Sequence, residues 1–237
     1  MTNTALHMTL LRATRESPIC EFQGIVASSK ACKSLVEESL LTLQEAGAIR
    51  IVDEEIHISP EQRLRIAELA VASGVDPERV GRELRWQEFE AFADQVLTRD
   101  GFSTANHFVF KGSGRRFEID VLGAKEAMVL CVDCKHWHHG WAPSKLMAAA
   151  KNQLIRVLFL SQVFTACGRK LPTIASWRSA RLLPVVLTLA DVSSKLMDGV
   201  PIVSALRFRD FLSEVNPWVE KLRFVDARIC ESTLPGF

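Results

Sequence analysis

Two neighbouring runs constrain this chain more than any other feature. Arg115-Arg-Phe-Glu-Ile-Asp-Val121 and Met128-Val-Leu-Cys-Val-Asp-Cys-Lys-His-Trp137 both read as β-strands, with a short turn over 123–126 between them. Apolar residues at period two mark a strand whose side chains alternate between faces. So short a turn makes an antiparallel hairpin the natural pairing. Alternation puts Asp120 on the face of Glu118, with Ile119 and Val121 opposite. In the second run, Asp133 and Lys135 share a face with Val129 and Cys131. The hairpin then brings Asp120 and Asp133 toward one point. Two carboxylates held together repel unless a cation lies between them. A hard divalent ion, Mg²⁺ or Mn²⁺, suits oxygen ligands. Lys135 adds a positive charge able to orient water or stabilise a phosphate. The alternative for these three residues is a salt-bridged strand face, because charge in an apolar strand is costly unless paired.

The pattern around them predicts an α/β domain. Helices are expected over 86–99, 144–164 and 208–215. Strands are expected over 107–111, 116–122, 127–135, 183–190 and 201–205. That order implies a mixed central sheet flanked by helices over residues 86–237. Residues 1–60 read differently. Helices over 4–16, 21–27 and 31–45 precede a hairpin whose strands, 49–52 and 55–58, flank Asp53-Glu54. Gly47 closes the third helix. Three helices and then a hairpin predict a winged helix-turn-helix domain. Residues 61–85 read as a helical connector, starting from the Ser59-Pro60-Glu61 cap and continuing past Asp76-Pro77.

Asp120 followed by Asp133-Cys134-Lys135 resembles the PD-(D/E)XK signature of restriction-endonuclease-like nucleases. The flanks match too: Phe89-Glu90 stands on a helix that ends before Gly101-Phe102. The pattern is most similar to archaeal Holliday-junction resolvases and Mrr-type restriction enzymes, over about residues 86–165. The resemblance implies an α-β-β-β-α-β fold and Mg²⁺-dependent phosphodiester hydrolysis. It makes Asp120, Asp133 and the Cys134 carbonyl the metal ligands, Lys135 the catalytic lysine and Glu90 the helix carboxylate. Gln153 is an auxiliary candidate. Two departures stand: Ile119 replaces the proline, and the (D/E) position is the shorter Asp. A homodimer is a reasonable expectation, because many such nucleases cut two strands.

Glu90 has a competitor in Glu88. Trp86, Glu90, Ala93 and Leu97 form one helical stripe, which favours Glu90 as the carboxylate on an apolar face. Lys111-Gly-Ser-Gly-Arg115-Arg116 is a basic turn suited to phosphate contact, or simply a solvated hairpin. His136 and Trp137, with His138, His139 and Trp141, follow the lysine and suit base stacking or phosphate contact at the rim. Cys131-x-x-Cys134 beside these histidines invites a zinc reading. Residues three apart on a strand point to opposite faces, which opposes it.

Charge refines the function. The chain carries 29 Lys+Arg against 28 Asp+Glu, a net of +1. Nucleic-acid binders usually show a basic excess. The sum hides its parts: residues 1–80 hold eight bases and twelve acids, net −4, and residues 81–237 hold 21 bases and 16 acids, net +5. DNA is therefore the expected partner of the C-terminal domain. The winged helix could place Lys30, Lys33 or its wing on DNA, but its Asp53-Glu54-Glu55 tip would repel phosphates, so a protein partner fits it at least as well. The longest uncharged run, residues 157–168, is too short to span a membrane. Neither a secretory signal nor small-scaffold cysteine spacing is evident, so free thiols and a cytoplasmic location are expected. The leading reading is a DNA endonuclease of repair, recombination or defence. The rival is a catalytically inactive nuclease-fold adaptor, or a transcription-linked regulator, binding DNA or protein through the winged helix.

Overall fold

The structure, a computed structural model, describes residues 2–29, 31–135, 142–167, 172–174, 176–188, 195–215 and 220–228. The chain forms two compact units, residues 1–92 and 93–237, and the division falls inside one helix.

The first unit contains α1 (Thr2–Ala13), β1 (Ile19–Glu21), α2 (Phe22–Ser28), α3 (Lys33–Glu45), β2 (Arg50–Val52), β3 (Glu55–His57), α4 (Pro60–Ala72), α5 (Pro77–Gly81) and the start of α6 (Trp86–Arg99). Apolar spacing explains the helix faces. Leu6, Leu10 and Leu11 are buried from α1, and Val36, Leu40 and Leu43 from α3. Leu35 and Leu41, equally apolar in sequence, are exposed because they fall off that stripe. The β2–β3 hairpin turns at Asp53-Glu54, both with positive φ, which matches strand twist. β1 was not legible: three residues carry no period, yet it pairs with β3 and completes a three-stranded sheet ordered β1-β3-β2. A capping box starts α4. Ser59 Oγ accepts from the Gln62 amide at 3.3 Å, and Gln62 Oε1 accepts from the Ser59 amide at 2.9 Å. Helix α4, within the stretch read as a connector, packs on α1.

His7 is buried on α1, and its Nδ1 makes no hydrogen bond among the described residues. Burial pushes its pKa below the ordinary 6.5. The unfolded chain therefore takes up the proton first as pH falls. Stability is full above about pH 6.5 and declines below it, down to the depressed folded value. Urea unfolding of the wild type is expected to lose midpoint on going from about pH 7 to about pH 5. His7→Leu should flatten that dependence, and an identical slope in the variant would overturn the expectation.

The second unit continues α6 into β4 (Ser103–Gly112), β5 (Arg115–Lys125), β6 (Met128–Lys135), α7 (Pro143–Cys167), β7 (Ser179–Thr188), β8 (Leu196–Met197), β9 (Val200–Ser204), α8 (Phe208–Glu214) and β10 (Val225–Arg228). It is a mixed α/β domain. The sheet runs β4-β5-β6-β7-β9-β8, and β10 pairs with the start of β7. Strands β4, β5 and β6 are antiparallel neighbours, whereas β6–β7 and β7–β9 are parallel. Parallel pairing needs a long crossover, and α7 supplies it between β6 and β7. Val157, Leu160 and Phe164 of α7 pack against Phe108, Phe110 and Ile119 of the sheet. Residues 129–134 of β6 are all buried, as a central strand covered on both faces requires.

The β5–β6 turn falls at Glu126-Ala127, both with positive φ, rather than over 123–126. Gly123 instead stays in the ladder opposite Leu130. A Cβ there would meet Leu97 Cδ1 at 3.0 Å, so the glycine lets α6 lie close against the sheet. β8 and β10, two and four residues long, escaped the sequence pattern as β1 did. Among the described residues, no helix is long and apolar enough to cross a membrane.

Candidate functional site

The β5–β6 ladder ends at the pair Val121 and Val132. Asp120 and Asp133 occupy the next position on each strand. Asp120 is half-buried, and its Oδ2 accepts the Cys134 backbone N–H at 2.7 Å. Asp133 is held more tightly. β6 pairs with β7 on its other side, with Asp133 facing Val186 and Lys135 facing Thr188, so its backbone is fixed from the β7 edge. Its side chain is only 3% exposed.

A buried carboxylate is costly unless cations and hydrogen bonds compensate it. Two cations do so. Lys135 Nζ donates to Asp133 Oδ1 at 3.0 Å and stands 2.8 Å from Oδ2. Arg156 Nη1, from α7, donates to Oδ1 at 2.6 Å. Although the ammonium is close, Oδ2 accepts no hydrogen bond among the described residues. Gln153, fully buried on α7, donates through Nε2 to the Cys131 carbonyl at 2.7 Å, and its Oε1 accepts from Arg156 Nη1 at 3.2 Å. The structure thus brings Asp120, Asp133, Cys134, Lys135 and Gln153 to one end of the hairpin and its crossover helix. Arg156 joins them without having been anticipated. Its signal lay in α7: Gln153 and Arg156, at i and i+3, are polar beside buried Ala149, Ala150 and Val157.

Of the remaining candidates, some belong to the first unit or to the β4–β5 turn, and others lie outside the described residues. Glu90 lies in the first unit, 5% exposed, and accepts the Trp86 indole N–H; Trp86 itself is 56% exposed rather than part of an apolar face. Glu88 is also buried, bound to Arg63 and Arg85. Lys111, Arg115 and Arg116 are exposed around the β4–β5 turn. His136, Trp137, His138, His139 and Trp141 lie outside the described residues, as does Lys30. Cys131 and Cys134 are both buried, and burial pushes the Cys131 thiol far above its ordinary pKa. Among the described residues, no three His, Cys, Asp or Glu side chains cluster as a metal site.

A cavity of about 340 Å³ opens at the opposite end of β6, beside Met128. Its cations are already engaged. Lys125 Nζ donates to the Asp100 carbonyl at 2.6 Å, just past the C-terminus of α6, and Arg181 stacks 4.0 Å over Phe224.

No family model matches the chain. An uncharacterized protein of Archaeoglobus fulgidus is 30% identical over 143 residues, which are 60% of this chain and all of the archaeal one. The chain belongs to the same family as that protein. Solved structures with some likeness include AF1548, a protein of unknown function, at 14% identity and TM-score 0.35, covering 52% of this chain and 59% of that one. The Vibrio cholerae protein VC1899 has 13% identity and TM-score 0.40, covering 92% and 51%. Can2 from Sulfobacillus thermosulfidooxidans, solved in complex with cyclic tetra-adenylate, has 12% identity and TM-score 0.40, covering 90% and 51%. The chain spans about half the length of the last two.

Proposed function

We propose that the protein is a divalent-metal-dependent DNA endonuclease of the PD-(D/E)XK kind. One observation carries the reading. Asp133 is buried at the end of the β5–β6 ladder, next to the Asp120 position, with the Lys135 ammonium 2.8 Å from its Oδ2. The donor set is all oxygen, which suits Mg²⁺ or Mn²⁺ rather than zinc. Asp120, Asp133 and the Cys134 carbonyl would hold the ion. When bound, it supplies Lewis-acid stabilisation of charge on the phosphate. The Lys135 ammonium positions the attacking water, which displaces the 3′ oxygen in line. Gln153 fixes the β6 backbone through the Cys131 carbonyl. Arg116 lies at the start of β5, the strand that carries Asp120, and is exposed. With Lys111 and Arg115, it offers the DNA backbone a basic edge.

The first unit is proposed as a winged helix, on its order of three helices and a β1-β3-β2 sheet. In the proposed domain plan it takes residues 1–60, with 61–85 as connector and 86–237 as nuclease domain. Residues 1–60 carry five bases and eight acids, a net of −3, and this charge and the acidic β2–β3 turn suit a protein partner.

The second reading is a catalytically inactive adaptor. It draws on the two cations that already neutralise Asp133. Mn²⁺ titration followed by electron paramagnetic resonance separates the two, since a nuclease binds the ion and loses it in Asp120→Ala. The direct test incubates the full chain with duplex, junction, flap and single-stranded DNA in Mg²⁺ or Mn²⁺. Wild type is expected to cut at least one of them, and Asp133→Ala and Lys135→Ala to fail. Cleavage unaffected by both substitutions sinks the assignment.

A further inference from the structure

We propose that Arg156 grips the scissile phosphate of the substrate; this rests on the nuclease reading and adds a substrate-binding residue to it. The case starts from how the guanidinium is used. Nη1 alone is engaged, by Asp133 Oδ1 and Gln153 Oε1. Nε and Nη2 make no hydrogen bond among the described residues. The Arg156 side chain is 29% exposed, whereas the carboxylate it touches is 3% exposed. One nitrogen is anchored inside the site, while the side chain as a whole keeps access to solvent.

The same chain shows what a structural arginine looks like. Arg63 is 0% exposed and spends all three nitrogens: Nε on Glu88, Nη1 on the Leu11 carbonyl and Thr14 Oγ1, and Nη2 on the Glu83 carbonyl. Arg156 keeps its donors in reserve. A planar fork with free parallel N–H groups matches two oxygens of a phosphodiester.

Charge points the same way. Asp120 and Asp133 balance Lys135 and Arg156 one for one. A divalent cation joining the carboxylates leaves the cluster positive and weakens the hold of Asp133 on Arg156, because both cations draw on one carboxylate. The surplus charge is what a phosphodiester anion neutralises. Arg156 then passes from carboxylate to phosphate by a turn of its own side chain, with α7 staying in place.

This assignment separates from a merely structural role by the sign of a metal-binding change. If Arg156 only held Asp133 in place, its loss would weaken Mn²⁺ binding. If it competes for Asp133 and serves the phosphate, its loss leaves Mn²⁺ binding equal or tighter. The experiment measures Mn²⁺ binding by electron paramagnetic resonance. It also measures DNA binding by fluorescence anisotropy in Ca²⁺, on whichever labelled DNA of the panel wild type binds. For Arg156→Ala, DNA affinity is expected to fall roughly tenfold or more. On duplex, the slope of log affinity against log salt should shrink by about 0.9, one phosphate contact. Mn²⁺ affinity should not fall. Arg156→Lys should keep the salt slope but recover only part of the affinity, since an ammonium is a point charge without the fork. This second variant carries the test if the alanine protein melts early.

Unchanged DNA affinity and salt slope in both variants overturn the inference, as does a parallel loss of Mn²⁺ binding. A wild type that binds neither Mn²⁺ nor any DNA of the panel overturns the nuclease reading instead.

Discussion

Replacing Lys135 by alanine is expected to lower the cleavage rate about 100- to 1,000-fold, the usual cost of losing one preorganised charge at a reacting centre. The fold should survive it. Lys135 ends β6, where its backbone is paired with Thr188, and its side chain is 25% exposed. Asp133 keeps Arg156 as counter-charge, so no carboxylate is left alone in the interior. Mn²⁺ binding should persist, because the variant retains Asp120, Asp133 and the Cys134 carbonyl. Asp133→Ala behaves differently. It removes a metal ligand and leaves both Lys135 and Arg156 without their shared partner, so metal binding and cleavage fall together. Single-turnover cleavage, Mn²⁺ resonance and thermal melting measured on both variants resolve these effects. A Lys135→Ala protein that cuts within about twofold of wild type removes the lysine from the proposed chemistry.

The parts of the site legible in sequence are those carried by period and spacing. Helix α6 was bounded correctly at both ends, because Asp100-Gly101 stops it and Gly101 takes positive φ. The β5–β6 hairpin followed from alternation alone. Its turn did not, since Glu126 and Ala127 adopt positive φ without being glycine, while the nearby Gly123 serves packing under Leu97. Strands β1, β8 and β10, two to four residues long, were not read, although β10 alternates apolar and polar residues as the equally short β2 and β3 do. Arg156 was hidden for another reason. It lies 23 residues beyond Asp133, and only the parallel crossover brings α7 back over β6. The stripe argument for Glu90 assumed that a buried carboxylate without a partner marks a site. Glu88 is just as buried, and its partner Arg63 stands 25 residues earlier, on a helix that no periodicity or spacing places against it.

Glu88→Ala is expected to destabilise the first unit by about 3–5 kcal/mol, the range for removing one partner of a buried ion pair. Arg63 would be left charged in a fully buried position. The same carboxylate also accepts the Arg85 backbone N–H at 2.8 Å near the start of α6, so a helix-terminal donor is orphaned as well. Glu88→Gln keeps an acceptor for Arg63 Nε but loses the charge, and should fall between wild type and alanine. The informative variant is the double replacement Arg63→Met with Glu88→Leu. For an isolated buried pair, such a swap is often neutral or stabilising. Here it should stay clearly destabilised. Arg63 also satisfies the Leu11 carbonyl, Thr14 Oγ1 and the Glu83 carbonyl, and Leu11 lies in the last turn of α1, where carbonyls lack helical partners. Arg63 therefore works as a hub joining α4 to the end of α1, the approach to α6 and α6 itself, and the pair with Glu88 is only one of its bonds. Urea denaturation gives the free energies, and hydrogen exchange should place the loss in α1 and α4. A double variant as stable as wild type would reduce this network to a replaceable ion pair.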